Sequence, residues 1–109
     1  MLVLSRRRDE AVVIDTDTVV TVVKISTDKV RLRIDNPQHR PVRPSEAPDS
    51  ESISQETMEI DCPQHRTIAI GKDFFITLVE VRGDKVRLGF QLPKEVPLHR
   101  KEISDILDR

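Results

Sequence analysis

One stretch of this chain occurs twice. Residues 27–34 read T-D-K-V-R-L-R-I, and residues 83–90 read G-D-K-V-R-L-G-F, 56 positions further along. The same spacing pairs further residues on both sides of this stretch, as with Val42 and Leu98. A chance octapeptide would not keep register over about 30 residues. The chain therefore contains one fold unit in two copies, and each copy can be compared with the other position by position.

The length of the chain constrains how the two copies fold. The 109 residues fit one domain, whereas a unit of roughly 45 to 50 residues is too small to bury a good core alone. We therefore expect the two copies to share one hydrophobic core.

The hydrophobic pattern predicts a mainly all-β protein. Apolar and β-branched residues alternate with polar ones over short runs that end at turn residues, which is typical of strands. Gly83-Asp84 favours a two-residue hairpin turn because glycine adopts positive φ freely. The strands are predicted at residues 2–7, 11–15, 19–26, 29–35 and 40–43 of the first copy, and at 67–70, 74–82, 85–91 and 96–99 of the second.

Two segments are less regular. Residues 58–62, which would be the first strand of copy two, are short, acidic and followed by Pro63, so their pairing is left open. At the other end, Ile103, Ile106 and Leu107 form the apolar stripe of a short helix. This C-terminal helix is expected in the second copy alone.

A change in composition separates the copies. Between them the chain is rich in Pro, Ser and Glu, which predicts a mobile linker with a possible helical turn at residues 52–58. The resulting division is 1–43 for the first repeat, 44–57 for the linker and 58–109 for the second repeat.

Charge is distributed unevenly along this division. Residues 1–43 hold nine Lys/Arg against six Asp/Glu, residues 44–65 hold none against six, and residues 66–109 hold nine against seven. The net charge of −1 therefore hides two mildly basic repeats, and a polyanionic partner fits them.

Other features exclude some classes of function. No run of about 20 apolar residues and no signal-like start occurs, so we expect a cytoplasmic chain. Cys62 and His65 lack two further ligands nearby, which argues against a metal site. We find no catalytic set, carboxylate pair or Gly-rich phosphate loop, so we expect neither an enzyme nor a cofactor.

Both copies resemble the carbon storage regulator family (CsrA, also called RsmA or RsmE), which are small bacterial RNA-binding translational regulators. The resemblance covers about 90 of the 109 residues. The residues that carry it are M-L-V-L-S-R-R at 1–7, Glu10, T-V-V at 21–23, K-V-R-L at 29–32, Asn36-Pro37, Ile70-Gly71, G-D-K-V-R-L-G-F at 83–90 and P-K-E-V-P-L-H-R-K-E-I at 93–103.

The resemblance implies a fold. Family members are homodimers of five-stranded chains whose strands interleave between subunits. Here it implies a single-chain pseudodimer, a monomer in which two interleaved five-stranded units form a β-sandwich or barrel and the linker replaces the subunit boundary.

The resemblance also implies two composite RNA sites, each made where strand one of one unit lies beside strand five of the other. In the first combination both halves match the family, and its arginines suit the phosphates and bases of a single-stranded loop. The expected target is a GGA-containing loop in an mRNA leader or a small regulatory RNA. The RNA-binding residues predicted for this site are Leu4, Ser5, Arg6, Arg7, Val96, Leu98, His99 and Arg100.

The second combination is predicted to be degenerate. Cys62 and Pro63 stand 56 residues after Arg6 and Arg7, and carboxylates flank Ile60. Lost phosphate contacts should weaken binding. The residues predicted for this degenerate site are Ile60, Asp61, Cys62, Pro63, Val42 and Arg43.

Two alternatives stay open. One is a protein-interaction module of the same fold that binds a protein antagonist such as a flagellar assembly factor, with weak or no RNA binding. Departures in copy one favour it, because Asp9, Asp15, Thr27 and Arg33 stand where the family usually has glycine. The other is an RNA competitor that sequesters targets without regulating them.

Overall fold

A computed structural model describes residues 1–101 of the chain. The helix predicted from Ile103, Ile106 and Leu107 lies outside these residues. Two five-stranded antiparallel sheets are present. Their strands are β1 (Leu2–Arg7), β2 (Ala11–Ile14), β3 (Thr18–Ile25), β4 (Lys29–Asp35), β5 (Val42–Pro44), β6 (Thr57–Pro63), β7 (Thr67–Ile70), β8 (Phe74–Arg82), β9 (Lys85–Gln91) and β10 (Leu98–Lys101).

The two repeats exchange their outer strands. One sheet has the order β1-β9-β8-β7-β5, so its three central strands come from repeat two and its edges from repeat one. The other sheet has the order β10-β2-β3-β4-β6, with the roles of the repeats reversed. The prediction of an interleaved pseudodimer is therefore confirmed.

The 56-residue spacing is kept in the strand pairing itself. Arg6 lies opposite Val86 in one sheet, and Cys62 lies opposite Val30 in the other. Both third strands also change register at equivalent positions, between Val22 and Lys24 in β3 and between Leu78 and Glu80 in β8. The two halves are thus superposable in topology down to the bulges, which allows direct comparison of their edges.

Both repeats contribute to one core, as the size of each repeat required. The cluster of buried side chains draws on residues from both sheets. The apolar residues of the repeated K-V-R-L motif belong to it, with Val30 and Leu32 fully buried and Val86 and Leu88 at most 1% exposed. The repeated motif therefore supplies both halves of the shared core.

Two turns of repeat one have aspartate where glycine is expected, and both aspartates adopt positive φ. Asp9 has φ 72° and Asp15 has φ 62°, close to the 66° of Gly71. The left-handed region is open to aspartate at a modest cost. The substitutions therefore keep the turn geometry of the fold.

Several boundaries differ from the prediction. Strand β6 runs over seven residues and pairs with β4 along its whole length, because Pro63 stands at the last position of an edge strand, where a missing N–H is tolerated. The fifth strands begin two residues later than predicted in both repeats. The helical turn predicted at residues 52–58 is wrong, since a 3-10 turn instead occupies Asp49–Glu51.

Candidate nucleic-acid interface

The first candidate site is a corner where the two sheets meet, formed by β1 and β10. These strands do not pair with each other, because each is the outer strand of a different sheet. They converge through β2, which follows β1 after a tight turn and pairs with β10. At that turn the Glu10 N–H donates to the Arg7 carbonyl at 3.1 Å, and the Arg7 N–H donates to Glu10 Oε1 at 2.8 Å.

Arg6 is buried beneath this corner. Its side chain is only 6% exposed, and its Nε donates to the Ser5 carbonyl at 2.7 Å while Nη1 donates to the Ala11 carbonyl at 3.3 Å. Ala11 is the residue of β2 that lies opposite Lys101 of β10. The Glu10 carboxylate lies 3.8 Å away and balances the charge. Arg6 therefore ties β1 to β2, the strand that pairs with β10.

Other basic side chains of the corner are exposed or half-buried. Arg7 is 57% exposed and reaches Asp84 only at 4.0 Å, while His99 and Arg100 are exposed and Lys101 is half-buried. These four side chains come from the ends of β1 and β10. Exposed arginines therefore come from both repeats, with Arg7 at the end of β1 and Arg100 on β10.

The apolar residues predicted for this site have a different placement. Leu4 is buried at 8% exposure, and Leu98 and Val96 are half-buried against the core. Ser5 is exposed on β1. The apolar surface of the corner is therefore limited to the exposed parts of Leu98 and Val96, and Leu4 belongs to the core.

The backbone edge of β10 is also available at this corner. Antiparallel pairing alternates residues whose N–H and C=O groups face the neighbouring strand with residues whose groups face away. The Asp15 N–H donates to the Pro97 carbonyl at 2.8 Å, so His99 also bonds toward β2 whereas Leu98 and Arg100 point outward. Within residues 1–101 no backbone group bonds to these outward N–H and C=O groups of Leu98.

The second corner, formed by β6 and β5, has the same geometry with different chemistry. Cys62 replaces Arg6 there, is fully buried, and places Sγ 3.4 Å from the Arg66 carbonyl. The thiol is far shorter than a guanidinium, and a pocket of about 360 Å³ lies beside it. This pocket is lined by Pro44, Glu46, Asp61, Cys62, Pro63, Arg66, Thr67 and Ile68.

Burial also governs the chemistry of this thiol. Removal from water disfavours the thiolate and raises the pKa of Cys62 to about 11. The residue is therefore a poor nucleophile at neutral pH and acts as a small apolar side chain.

Carboxylates on β6 neutralise the cations beside them. Asp61 accepts a hydrogen bond from Arg31 Nε at 2.9 Å and lies 3.8 Å from Lys29, and Arg31 also lies 3.8 Å from Glu59. The hydrogen bond from Arg31 lowers the pKa of Asp61. At the first corner Ser5 takes the place of Asp61, opposite Arg87. Lys29 and Arg31 of β4 are therefore paired with carboxylates on the neighbouring edge strand, whereas the equivalent Arg87 lies 3.5 Å from Glu80 of β8.

Arg43 of β5 is held by the linker at the second corner. Its Nη1 donates to the Ala47 carbonyl at 2.7 Å and to the Ser45 carbonyl at 2.9 Å, and its Nε lies 3.0 Å from Asp49. The next position holds Pro44, where repeat two has Arg100. This corner therefore has prolines, Pro63 and Pro44, at the positions equivalent to Arg7 and Arg100.

Sequence reasoning missed three features of these corners. Glu10 and Lys101 were not assigned to the first site, and the linker was not expected to hold Arg43. The burial of Arg6 had a readable signal, because Arg6 shares the inward parity of Leu4 on a two-residue period. The linker contacts are tertiary and left no local pattern.

Among residues 1–101 no helix is long and apolar enough to cross a membrane. The same residues bring together no group of three His, Cys, Asp or Glu side chains able to hold a metal ion.

Fold and corners together define a class: two-repeat β proteins that exchange outer strands between repeats and carry a basic strand edge at one corner. The chain belongs to the CsrA global regulator protein family, whose model matches residues 1–52 and again residues 64–108. The two matches correspond to the two repeats. Family membership thus extends over both halves of the fold.

Curated relatives agree with this assignment. A protein named Translational regulator CsrA from Rhodopirellula baltica is 50% identical over 46 residues, which is 42% of this chain and 66% of the relative. Proteins of the same name from Lachnoclostridium phytofermentans and Lachnospira eligens are 46% identical over 39 residues and 50% identical over 42, covering 36% and 38% of this chain. The matches span 54% to 66% of these relatives. No solved structure is significantly similar to the chain.

Proposed function

We propose that this chain is an RNA-binding regulator of translation with one working site, the corner of β1 and β10. Its target is a GGA-containing single-stranded or hairpin loop in an mRNA leader or small regulatory RNA. The observation that carries the proposal is the contrast between two corners of equal geometry. One presents Arg7, His99 and Arg100 to solvent, whereas the other presents Pro63, Arg43 held by the linker, and Pro44.

The chemistry of the first corner suits a single-stranded loop. Arg7 and Arg100 can each neutralise a phosphate or stack on a base, which positions the strand without reading its sequence. Sequence is read by hydrogen bonds to base edges, and the outward N–H and C=O groups of Leu98 and Arg100 supply rigid donors and acceptors for this. Half-buried Leu98 and Val96 provide apolar contact beside them.

Arg6 enters this proposal as a positioning residue. Its guanidinium bonds to backbone carbonyls of β1 and β2, and thereby sets how far the exposed Arg7 stands from β10. The role proposed for it is to hold the corner in shape, with the contact to RNA left to its neighbours.

The regulatory consequence follows from occupancy. A protein bound to a loop near a ribosome-binding site would block translation without any chemical step, so no catalytic residue is required. With two sites on one RNA a regulator gains avidity through effective concentration. A one-site chain lacks that gain and depends on the affinity of the single corner.

Titration of a labelled GGA hairpin tests the proposal. We expect saturable binding that is abolished by Arg100→Ala and strongly weakened by Arg7→Ala. Each lost phosphate contact should lower the slope of log K against log salt by about 0.7 on a single strand. Arg33→Ala is a matched control, because Arg33 is exposed, lies 3.5 Å from Asp35 and stands on β4, three strands away from β10 in its sheet. Absence of binding at low salt would rule out the RNA reading and leave the protein-interaction module.

A further inference from the structure

The second corner is an interaction surface that already has an occupant. We infer that the acidic linker, residues 45–53, binds there in place of a polyanion and closes that corner to RNA. The inference rests on the proposed function for the identity of the competing ligand. It goes beyond the loss of Arg6 and Arg7 equivalents, because it assigns a role to a segment that composition alone describes as a spacer.

The linker occupies the backbone edge of β5. The Ile53 N–H donates to the Val42 carbonyl at 2.9 Å, and the Val42 N–H donates to the Ile53 carbonyl at 3.0 Å. Val42 stands 56 positions before Leu98, the residue whose outward groups are proposed to read RNA at the first corner. The linker therefore bonds to the backbone groups of Val42 that correspond to those of Leu98, to which no backbone group of residues 1–101 bonds.

The linker also neutralises the cations that remain at this corner. Arg43 bonds to two linker carbonyls and to the Asp49 carboxylate. Arg66, which stands where the first corner has Glu10, pairs with Glu46. Two arginines close to β5 and β6 are thus matched by two linker carboxylates, as they would be by two phosphates.

The linker is anchored at both ends of this contact. The Ser45 N–H donates to the Thr67 carbonyl at 2.8 Å, which extends the pairing of β5 with β7. At the far end, the Asn36 N–H donates to the Glu56 carbonyl at 2.6 Å. Because the occupant is part of the same chain, its effective concentration at the corner is high and a free ligand competes poorly.

A linker-release variant tests this inference. Glu46→Gln and Asp49→Asn remove the two ion pairs, and Ile53→Pro removes the N–H that bonds to Val42. The matched control combines Glu51→Gln, Glu56→Gln and Gln55→Pro, whose side chains are exposed. Both triple variants raise the net charge by two and add one proline, so a gain due to charge or stiffness alone would appear in both.

Two measurements are made on both variants and on the unmodified chain. The first is the number of GGA hairpin equivalents bound at low salt. The second is hydrogen exchange at the Val42 amide, together with the Ile53 amide in the two chains that keep Ile53. We expect one equivalent for the unmodified chain and the control, with both amides protected. We expect a second, weaker equivalent for the release variant, with protection lost at Val42.

The outcomes separate this inference from the proposed function. A release variant that loses protection at Val42 yet still binds one equivalent overturns the inference, as does a control that gains a second equivalent. If the unmodified chain binds no RNA, the proposed function fails instead. Hydrogen exchange in the unmodified chain then tests the linker contact alone. Protection of the Val42 and Ile53 amides would support the contact, and fast exchange would overturn it.

Discussion

Substitution of the neighbouring arginines on β1 is expected to affect different properties, stability for Arg6 and RNA affinity for Arg7. Arg6→Cys copies the residue that stands at the second corner. It removes two hydrogen bonds from a charged donor, at 2.7 and 3.3 Å, from a side chain that is 6% exposed. Bonds to charged groups contribute roughly 1.5 to 3 kcal/mol each, and partial relaxation of the corner lowers the sum. We expect the free energy of unfolding to fall by about 3 kcal/mol.

This loss is large enough to measure directly. A chain of 109 residues has an unfolding entropy that makes 1 kcal/mol equivalent to about 4 °C in Tm. Arg6→Cys should therefore lower Tm by about 12 °C, followed by circular dichroism, with urea denaturation giving the free energy. Arg7→Ala is the matched control, because Arg7 is 57% exposed and its removal should change stability by less than about 0.5 kcal/mol.

RNA affinity completes the comparison. Arg7→Ala should weaken hairpin binding at unchanged stability. Arg6→Lys keeps the charge but loses the planar fork, so its main effect should be a lower Tm and its effect on the slope of log K against log salt should be small. An Arg6→Cys protein as stable as the unmodified chain would refute the reasoning. So would an Arg7→Ala protein that unfolds several degrees early.

Three further outcomes follow from the second corner and the core. Iodoacetamide should label Cys62 slowly at pH 8, because burial raises its pKa to about 11, and urea unfolding monitored by mass spectrometry should speed labelling greatly. Asp61→Asn should lower stability slightly at pH 7. Since Arg31 lowers the pKa of Asp61, the paired carboxylate stabilises the fold above its ordinary pKa, and the difference in urea midpoint should disappear as the pH falls through that lowered pKa. Leu32→Ala, in a fully buried site, should cost about 2 to 5 kcal/mol in the same urea assay, and a single transition for both sheets should persist because the repeats share one core.

Strand positions were readable from the sequence because their signals are local. The alternation of residues 29–35 and 85–91 and the glycine of the Gly83 turn fixed β4 and β9 at their observed bounds. Strand β6 was uncertain from sequence alone, since its acidic residues find partners only on β4, as with Asp61 and Arg31. Pairing across 30 positions in the chain leaves no periodic trace in either segment.

Some features of the candidate site could likewise be predicted from the sequence, and others could not. The basic edge and its degenerate counterpart follow from comparing positions 56 apart. The side on which each residue points follows from strand parity, which places Arg6 inward with Leu4. Closure of the second corner could not be foreseen, because it depends on where Ile53 and Asp49 meet Val42 and Arg43 after folding.

Stoichiometry is the most direct test of the central claim that a fold of two equal halves carries one working RNA site. Native mass spectrometry of the chain with a short GGA hairpin counts bound RNA per chain, and ultraviolet crosslinking of the same complex locates it. We predict one hairpin per chain, with crosslinks on β1 and β10 and none on β5 or β6. Two hairpins per chain, or crosslinks shared equally between the corners, would contradict it.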